Sequence, residues 1–104
     1  MSRPSSFTRP KSVAVIGASN KPGKIGCALV SNLIESGYQG RIFPVNSREK
    51  EILGLPCFPS VADIPEEVET AVFAVPAPKV LDAAAGCGRK GVKNLVVLTA
   101  GFKE

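Results

Sequence analysis

The sequence predicts an α/β domain in which a mostly parallel sheet lies between two layers of helices. Short apolar strands alternate with helical stretches along the chain, an order typical of parallel βαβ units with right-handed crossovers. Two of the apolar runs, residues 70–75 and 94–99, contain few polar side chains, and the strand over 70–75 is expected to be buried on both faces. The chain of 104 residues has room for one such domain.

The first half of the chain contains two strands and one helix. Residues 12–17 are predicted to form a short strand, because the run is β-rich and turn residues follow it. A helix is predicted over 24–36, since apolar side chains recur from Ile25 at i, i+3, i+4 and i+8, and Gly37 ends it. Residues 41–45 are predicted to form the second strand.

The second half continues the alternation. Residues 53–59 are rich in glycine and proline and are predicted to form a loop with a short strand. A short capped helical turn is expected over 60–67 and a third strand over 70–75. A helix rich in alanine and leucine follows over 79–86, with its C-terminal end near residues 86–91, and the last strand is expected over 94–99.

The two ends of the chain differ from the domain between them. Residues 1–10 are polar and interrupted by proline, which predicts a flexible leader, and residues 11–104 are predicted to form the domain. After the last strand a helix is expected, but the sequence stops at Glu104. We therefore expect a domain that lacks its last helix, as the N-terminal part of a larger protein. The alternative is a natural terminus that leaves one sheet face uncovered.

Composition limits the possible functions. The chain has no histidine, and its three cysteines show no Cys-x-x-Cys spacing, so thiol–imidazole catalysis is excluded and no metal site is expected. Reduced thiols indicate a cytoplasmic protein, and no apolar run approaches the roughly 18–20 residues of a membrane helix. Residues 1–50 carry eight Lys/Arg and two acids, against five and seven in residues 51–104. Scattered cations without a recognition motif favour a phosphate site over nucleic acid.

The turn between the first strand and the first helix predicts a phosphate site. The first N–H groups of a helix have no partner within it and can hold an anion. Lys21 and Lys24 add positive charge in this turn. The alternative is that its glycines only form a tight corner between strand and helix.

The spacing of the glycines argues against two common nucleotide sites. Gly17, Gly23 and Gly26 keep the last Gly-x-x-Gly of the dinucleotide fingerprint, but the first gap is six residues instead of two. A P-loop is excluded because Ile25, not Ser or Thr, follows Lys24. The turn is too long for the usual grip on NAD.

The end of the second strand indicates an additional phosphate. NAD enzymes place an acidic residue there to bind the ribose hydroxyls, whereas this chain has Asn46-Ser47-Arg48. A cationic residue does not suit the hydroxyl groups of a free ribose diol, but it favours a phosphate group attached to that ribose. The residues therefore leave two cofactors open, NADP and coenzyme A.

Five segments in order resemble the CoA-binding domain of NDP-forming acyl-CoA synthetases, over about residues 10–104. The chain is most similar to ADP-forming acetate–CoA ligases and related lysine acyltransferases, and more distantly to succinyl-CoA synthetase α subunits. The resemblance implies a Rossmann-like fold. The matching segments are Val-Ile-Gly-Ala-Ser-Asn-Lys-Pro-Gly-Lys-Ile-Gly from Val15, Phe-Pro-Val-Asn from Phe43, Leu-Gly-Leu-Pro-Cys-Phe-Pro-Ser-Val from Leu53, Ala-Val-Pro-Ala-Pro from Ala74 and Leu-Thr-Ala-Gly-Phe from Leu98.

The resemblance also implies a coenzyme A site, or acyl-CoA site, in the loops after the strands. The first turn would contact the phosphates, residues 45–46 would flank the adenosine, and Arg48, with Lys50 second, would meet a further phosphate. Relatives often carry Pro-Lys in place of Ser47-Arg48. Residues 75–77 would line the pantetheine arm and 98–100 would lie near the sulfur. The implied site residues are Gly17, Ala18, Ser19, Asn20, Lys21, Gly23, Lys24, Ile25, Gly26, Val45, Asn46, Arg48, Lys50, Val75, Pro76, Ala77, Leu98, Thr99 and Ala100.

Chemistry in that family resembles acyl-phosphate formation and phosphate transfer through a histidine to a nucleotide on an ATP-grasp module. This chain has no histidine, so we expect it to bind coenzyme A and to catalyse nothing by itself. Its expected partners are further synthetase domains or a subunit (ATP-grasp and ligase domains), with no nucleic acid and no membrane. Two alternatives stay open: a stand-alone CoA-binding regulatory module and an NADP-binding dehydrogenase-like domain.

Overall fold

The structure is a computed structural model that describes residues 11–75 and 77–98, with the side chain of Ala77 left aside. The predicted leader over 1–10 lies outside the described residues. In chain order the elements are β1 (Ser12–Ile16), α1 (Ile25–Glu35), β2 (Arg41–Val45), β3 (Glu51–Ile52), β4 (Leu55–Pro56), a 3-10 turn (Val61–Asp63), β5 (Thr70–Phe73), α2 (Ala77–Lys90) and β6 (Asn94–Val97).

Four strands form one parallel sheet in the order β2-β1-β5-β6. β1 pairs with β2 from Ser12 opposite Arg41, and with β5 from Val13 opposite Thr70. β5 pairs with β6 in the same sense. The two short strands β3 and β4 form a separate antiparallel hairpin. The predicted α/β class with a mostly parallel sheet is confirmed.

The sheet has a hydrophobic cluster on each face, which gives the predicted three layers. On one face, Ile16, Phe43 and Phe73 pack with residues of the 3-10 turn and with Cys87 of α2. On the other, Val15 packs with Val30 of α1 and with the β3–β4 hairpin. The alternation of β1 side chains between the two faces explains why all five of its residues are buried. The Rossmann-like architecture predicted from the sequence is confirmed.

α2 is longer than the predicted helix over 79–86. It runs from Ala77 to Lys90, so it begins two residues earlier than predicted, and it continues through Gly86 and Gly88 to an end within the predicted range of residues 86–91. Each glycine in a helix interior costs about 1 kcal/mol relative to alanine, and burial of the intervening Cys87 in the core offsets that cost. The helix ends at Gly91, whose φ of +90° suits a C-terminal cap.

β6 is more exposed than its apolar sequence suggests. Its four residues are all exposed, with Leu95, Val96 and Val97 showing 47%, 43% and 45% of their surfaces. The physical reason is that, within residues 11–75 and 77–98, β6 has a neighbouring strand on one side only and packs little against the helices. The expectation that the strand over 70–75 is buried on both faces is wrong for β5, in which only alternate residues, Ala71 and Phe73, are fully buried.

The connecting segments are more regular than the sequence suggests. The loop expected over 53–59 contributes β4, and Leu53 and Gly54, both at positive φ, form the turn of the hairpin. The helical turn expected over 60–67 is the 3-10 turn Val61–Asp63. Neither α1 nor α2 is long and apolar enough to cross a membrane, and the same holds for every helix among the described residues.

Candidate functional site

The predicted site lies at the carboxyl edge of the sheet. Because the strands are parallel, the segments that follow β1, β2 and β5 all leave the sheet at this edge. The chain proceeds from β1 to β2 on one side and then returns to β5 on the other side of β1. Ligands of open α/β sheets bind in the crevice at such a reversal of strand order. The topology therefore brings the predicted turn, the end of β2 and the end of β5 together.

Gly17 lies at the point where these three strand ends meet. Its φ is +91°, and a Cβ built on it would lie 2.5 Å from the Ala74 carbonyl oxygen, so a side chain has no space there. The N–H groups of Gly17 and Ala18 donate to the Val45 carbonyl at 3.0 and 3.2 Å. These two N–H groups, together with the fully buried Ala18 methyl, therefore hold the start of the turn against the end of β2.

Gly26 allows α1 to begin directly against the turn. A Cβ at this position would lie 2.0 Å from the Gly17 carbonyl oxygen and 2.9 Å from the Ala18 Cα. These contacts are with backbone atoms, which cannot rotate away as a flexible side chain could. The last glycine of the motif therefore sets how closely the helix N-terminus approaches the end of β1.

The N-terminus of α1 is an open positive end. Lys24 is the N-cap, with no hydrogen bond from its side chain, and no acidic residue lies in the first turn. The N–H groups of Ile25 and Gly26 lie in that first turn, where a helix supplies no acceptor of its own. Lys21 and Lys24 are exposed beside them. This combination attracts an anion through hydrogen bonding, helix dipole and net charge together.

The turn itself is shaped by its own hydrogen bonds. The Ser19 hydroxyl accepts from the Lys21 N–H at 2.9 Å, and the Lys24 N–H donates to the Lys21 carbonyl at 3.2 Å. Gly23 has a φ of +95° and is exposed, with no atom of the described residues within 4 Å of a Cβ built on it. Ser19 and Gly23 thus contribute to the conformation of the turn that presents the two lysines.

The predicted polar residues Asn20 and Asn46 are directed at the protein itself. The Asn20 side chain bonds to the β3–β4 hairpin, and that of Asn46 bonds to the Ala18 carbonyl. Val45, predicted to flank the adenosine, is buried, and its carbonyl oxygen accepts hydrogen bonds from the start of the turn. Sequence reasoning placed these residues at the site without showing which of their atoms remain available.

Arg48 and Lys50 lie on the exposed segment after β2. Among residues 11–75 and 77–98 neither cation takes part in an ion pair. Glu49, between them, accepts a 3.3 Å hydrogen bond from Asn20. Cys57 lies under this segment, with its Sγ 3.7 Å from the Asn46 carbonyl oxygen. Burial raises the pKa of that thiol, so it stays protonated near neutral pH.

The third part of the predicted site is described only in part. Val75 is half-buried and packs against the core cluster on the α2 face. The Leu98 N–H donates to the Phe73 carbonyl at 3.0 Å, which continues the pairing of β5 with β6. Pro76, Thr99 and Ala100 lie outside the described residues, as does the side chain of Ala77.

Two features of the site were absent from the prediction. Ala74, whose carbonyl oxygen closes the crevice against Gly17, carries no chemical signal in the sequence. The β3–β4 hairpin bonds to Asn20 through the Glu51 carbonyl and the Leu53 N–H, which are backbone groups that no side-chain motif reveals. A predicted hairpin over 51–56 would have been the one available signal.

A cavity of about 490 Å³ lies at the opposite, amino edge of the sheet. Its lining mixes cations and carboxylates, including Lys11, Arg41, Lys93, Glu66 and Glu69. Arg41 and Glu66 form an ion pair there at 2.9 Å. The lining of this cavity combines four cations with three carboxylates, whereas the turn at the carboxyl edge has two lysines and no acidic residue.

Comparison with known proteins identifies the family. Residues 11–104 match the CoA binding domain family. The chain is 54% identical over 99 residues to the α subunit of an ADP-forming acetate–CoA ligase I from Pyrococcus furiosus, covering 91% of this chain and 21% of that one. It is 50% identical over 95 residues to an ADP-forming acetate–CoA ligase II from Archaeoglobus fulgidus, covering 91% and 14%. The chain thus spans about a fifth or less of these relatives.

Solved structures agree with the sequence match. A dinucleotide-forming acetyl-coenzyme A synthetase 1 from Ca. Korarchaeum cryptofilum, in complex with phosphate and ADP, superposes with a TM-score of 0.86 at 43% identity. The superposition covers 94% of this chain and 21% of that one. The family match decides between the two cofactors left open by the residues, in favour of coenzyme A. The chain therefore belongs to the CoA binding domain family, and coenzyme A is its ligand.

Proposed function

We propose that this chain is the CoA-holding part of an ADP-forming acyl-CoA synthetase. The observation that supports this most directly is the match over nearly the whole chain to one end of ADP-forming acetate–CoA ligases. Bound CoA supplies the thiol that is acylated in such an enzyme. The chain holds and orients CoA, while other domains or a partner subunit, of the ATP-grasp and ligase kinds, supply the groups that form and break bonds. The three free cysteines fit a cytoplasmic enzyme.

The N-terminus of α1 holds the diphosphate in this proposal. The Ile25 and Gly26 N–H groups donate to phosphate oxygens, and Lys21 and Lys24 neutralise their charge. The open helix end, free of a side-chain cap and of first-turn acids, supports this assignment. Gly17 and Gly26 allow the turn to pack closely against the end of β5 and the start of α1, which supports the placement of the helix N-terminus at this edge of the sheet.

Arg48, with Lys50 second, binds the 3′-phosphate on the ribose. Both side chains are exposed at the end of β2, next to the turn that holds the diphosphate. The Gly17 and Ala18 N–H groups are bonded to Val45, so the ligand is held by the cations and the helix end rather than by these amides. The pantetheine arm then runs across the carboxyl end of β5, along residues 75–77, toward residues 98–100 and the thiol.

A titration by calorimetry tests the ligand assignment. We expect the full chain to bind CoA more tightly than dephospho-CoA, NADP or NAD, because only CoA offers both a diphosphate and a 3′-phosphate at this spacing. Equal affinity for CoA and dephospho-CoA would remove the role of Arg48 and Lys50. Tighter binding of NADP would contradict the assignment and favour a dehydrogenase-like domain.

An activity assay tests the role in a synthetase. We expect the protein that contains this domain, together with its partner subunit if it has one, to release CoA from an acyl-CoA only when ADP and phosphate are both present. The released thiol is measured with a chromogenic disulfide. Release of CoA without ADP, or none with any acyl-CoA tested, would contradict the proposal while leaving CoA binding intact.

A stand-alone CoA-binding module is the second candidate. One observation favours it: the chain covers 78% of a conserved hypothetical protein from Pyrococcus furiosus, with a TM-score of 0.79 at 32% identity. Chains little longer than this domain therefore exist with the same fold. The activity assay separates the two candidates, because a module binds CoA without ADP-dependent release from acyl-CoA.

A further inference from the structure

Asn46 connects the segment that carries Arg48 to the glycine-rich turn. Its Nδ2 donates to the Ala18 carbonyl at 2.8 Å, across from the end of β2 to the end of β1. Its Oδ1 accepts from the backbone N–H groups of Arg48 at 2.7 Å and of Glu49 at 3.2 Å. One side chain thus fixes the backbone of Arg48 and ties it to the turn.

Asn20 makes the reciprocal connection from the turn. Its Nδ2 donates to the Glu51 carbonyl at 2.9 Å and to the Glu49 carboxylate at 3.3 Å. Its Oδ1 accepts from the Leu53 N–H at 2.9 Å. The turn and residues 46–53, which we call the rim segment, are therefore joined by two carboxamides that run in opposite directions.

Little hydrogen-bonding capacity is left on either side chain for a ligand. A carboxamide offers two N–H donors and two acceptor lone pairs. Asn20 uses both donors and one lone pair, and Asn46 uses one donor and both lone pairs. A role in direct contact with phosphate would require breaking bonds that hold the rim segment in place.

We propose that Asn20 and Asn46 are positioning residues, which lock the rim segment against the turn and so place Arg48 to bind the 3′-phosphate. The inference rests on the proposed function of Arg48. It differs from the sequence expectation that Asn20 contacts the phosphates of CoA and that Asn46 flanks the adenosine. The long arginine side chain is mobile by itself, so fixing its backbone limits the volume that the guanidinium explores.

A double-mutant cycle with two ligands tests the proposal. The full chain, Asn46→Ala, Arg48→Ala and the double variant are titrated with CoA and with dephospho-CoA, and the ratio of the two affinities is compared. Asn20→Ala is combined with Arg48→Ala in the same way. Asn32→Ala, at an exposed position on α1, is the matched control. Thermal unfolding by circular dichroism verifies that each variant is folded, and Asn46→Ser, which keeps a hydroxyl acceptor for the Arg48 N–H, serves if Asn46→Ala does not fold.

We expect Arg48→Ala to weaken CoA binding by about 10-fold, as loss of a charge-assisted hydrogen bond does, and to leave dephospho-CoA nearly unchanged. Each asparagine variant should lower the ratio of the CoA affinity to the dephospho-CoA affinity. In each double variant this ratio should be no lower than in Arg48→Ala alone. This ratio should fall less in Asn46→Ser than in Asn46→Ala. Additive effects, or equal weakening of both ligands by an asparagine variant, would overturn the positioning role. An unchanged ratio in Arg48→Ala would instead overturn the proposed contact of Arg48, and absence of CoA binding by the unaltered chain would overturn the proposed function.

Discussion

Replacing Gly26 by alanine tests whether the site depends on close contact between α1 and the end of β1. The added Cβ would lie 2.0 Å from the Gly17 carbonyl oxygen, whereas unstrained contacts of carbon lie at about 3.5 Å. Relief of this overlap requires the two atoms to move apart by more than about 1 Å. The Cβ is fixed to the helix backbone and the oxygen belongs to the turn backbone, so neither atom can rotate away. The N-terminus of the helix must therefore move away from the turn that it supports.

Two opposing effects set the magnitude. Alanine is favoured over glycine in a helix by about 1 kcal/mol. Overpacking of a close contact costs about 1–3 kcal/mol and occasionally more, and the backbone position of the contact places Gly26→Ala at the upper end. We expect a net loss of about 2 kcal/mol, which corresponds to roughly 8–16 °C in melting temperature for a domain of this size.

The assay is thermal unfolding followed by circular dichroism, with a calorimetric titration of CoA on the same samples. Gly88→Ala is the matched control, since it lies in α2 and a Cβ there meets no atom of the described residues within 4 Å. We expect the control to gain about 0.5–1 kcal/mol from helix propensity. A Gly26→Ala variant as stable as the unaltered chain, with undiminished CoA binding, would refute the close-contact argument.

Three further outcomes follow from the described contacts. Changing both Lys21 and Lys24 to glutamine should weaken CoA binding and reduce the dependence of the affinity on salt concentration, because two exposed cations are lost. Titrations at low and high ionic strength measure this dependence, and an unchanged dependence would contradict the role of the two lysines. Ser12→Ala should destabilise the fold by about 1–3 kcal/mol in denaturant unfolding, because the buried Ser12 hydroxyl accepts a hydrogen bond from the Glu69 N–H at 2.8 Å. The affinity for CoA should not change, and a weakened affinity would show that Ser12 influences the site. Burial raises the pKa of the Cys87 thiol above its ordinary 9.0, so this group favours folding below pH 9 and its contribution is lost as the pH rises further. The loss of stability between pH 8 and about pH 10, measured by denaturant unfolding, should therefore be smaller in Cys87→Ala than in the unaltered chain. An equal loss in both proteins would exclude Cys87 as a cause of the pH dependence.

The elements that the sequence predicts best are those whose side chains have a clear periodicity. β2 has the predicted bounds, and α1 differs from the prediction by one residue at each end. In both, apolar spacing and flanking turn residues agree with the burial found in the structure. The start of α2 was predicted two residues too late, because proline is tolerated in the first turn of a helix. The helix continues past Gly86 to an end within the predicted range 86–91, since the buried Cys87 outweighs the low helix propensity of the glycines beside it.

Predictions about burial fail where tertiary position decides. An apolar strand such as β6 looks the same in sequence whether it lies in the centre or at the edge of the sheet, and the structure places it at the edge. At the site, spacing and charge predicted the turn and the cations. The hydrogen bonds of Asn20 and Asn46 could not be predicted, because they depend on backbone groups brought close by the hairpin.

The exposed β6 has a practical consequence for work with the isolated domain. An edge strand with Leu95, Val96 and Val97 exposed is a template on which a strand of another copy can pair. Self-association through this edge would grow with protein concentration and would distort the apparent stoichiometry of a titration. The turn after β1 is separated from this edge by β5, whereas the end of β6 adjoins it. Val96→Lys would discourage such pairing and would give a monomeric reference for titrations with CoA.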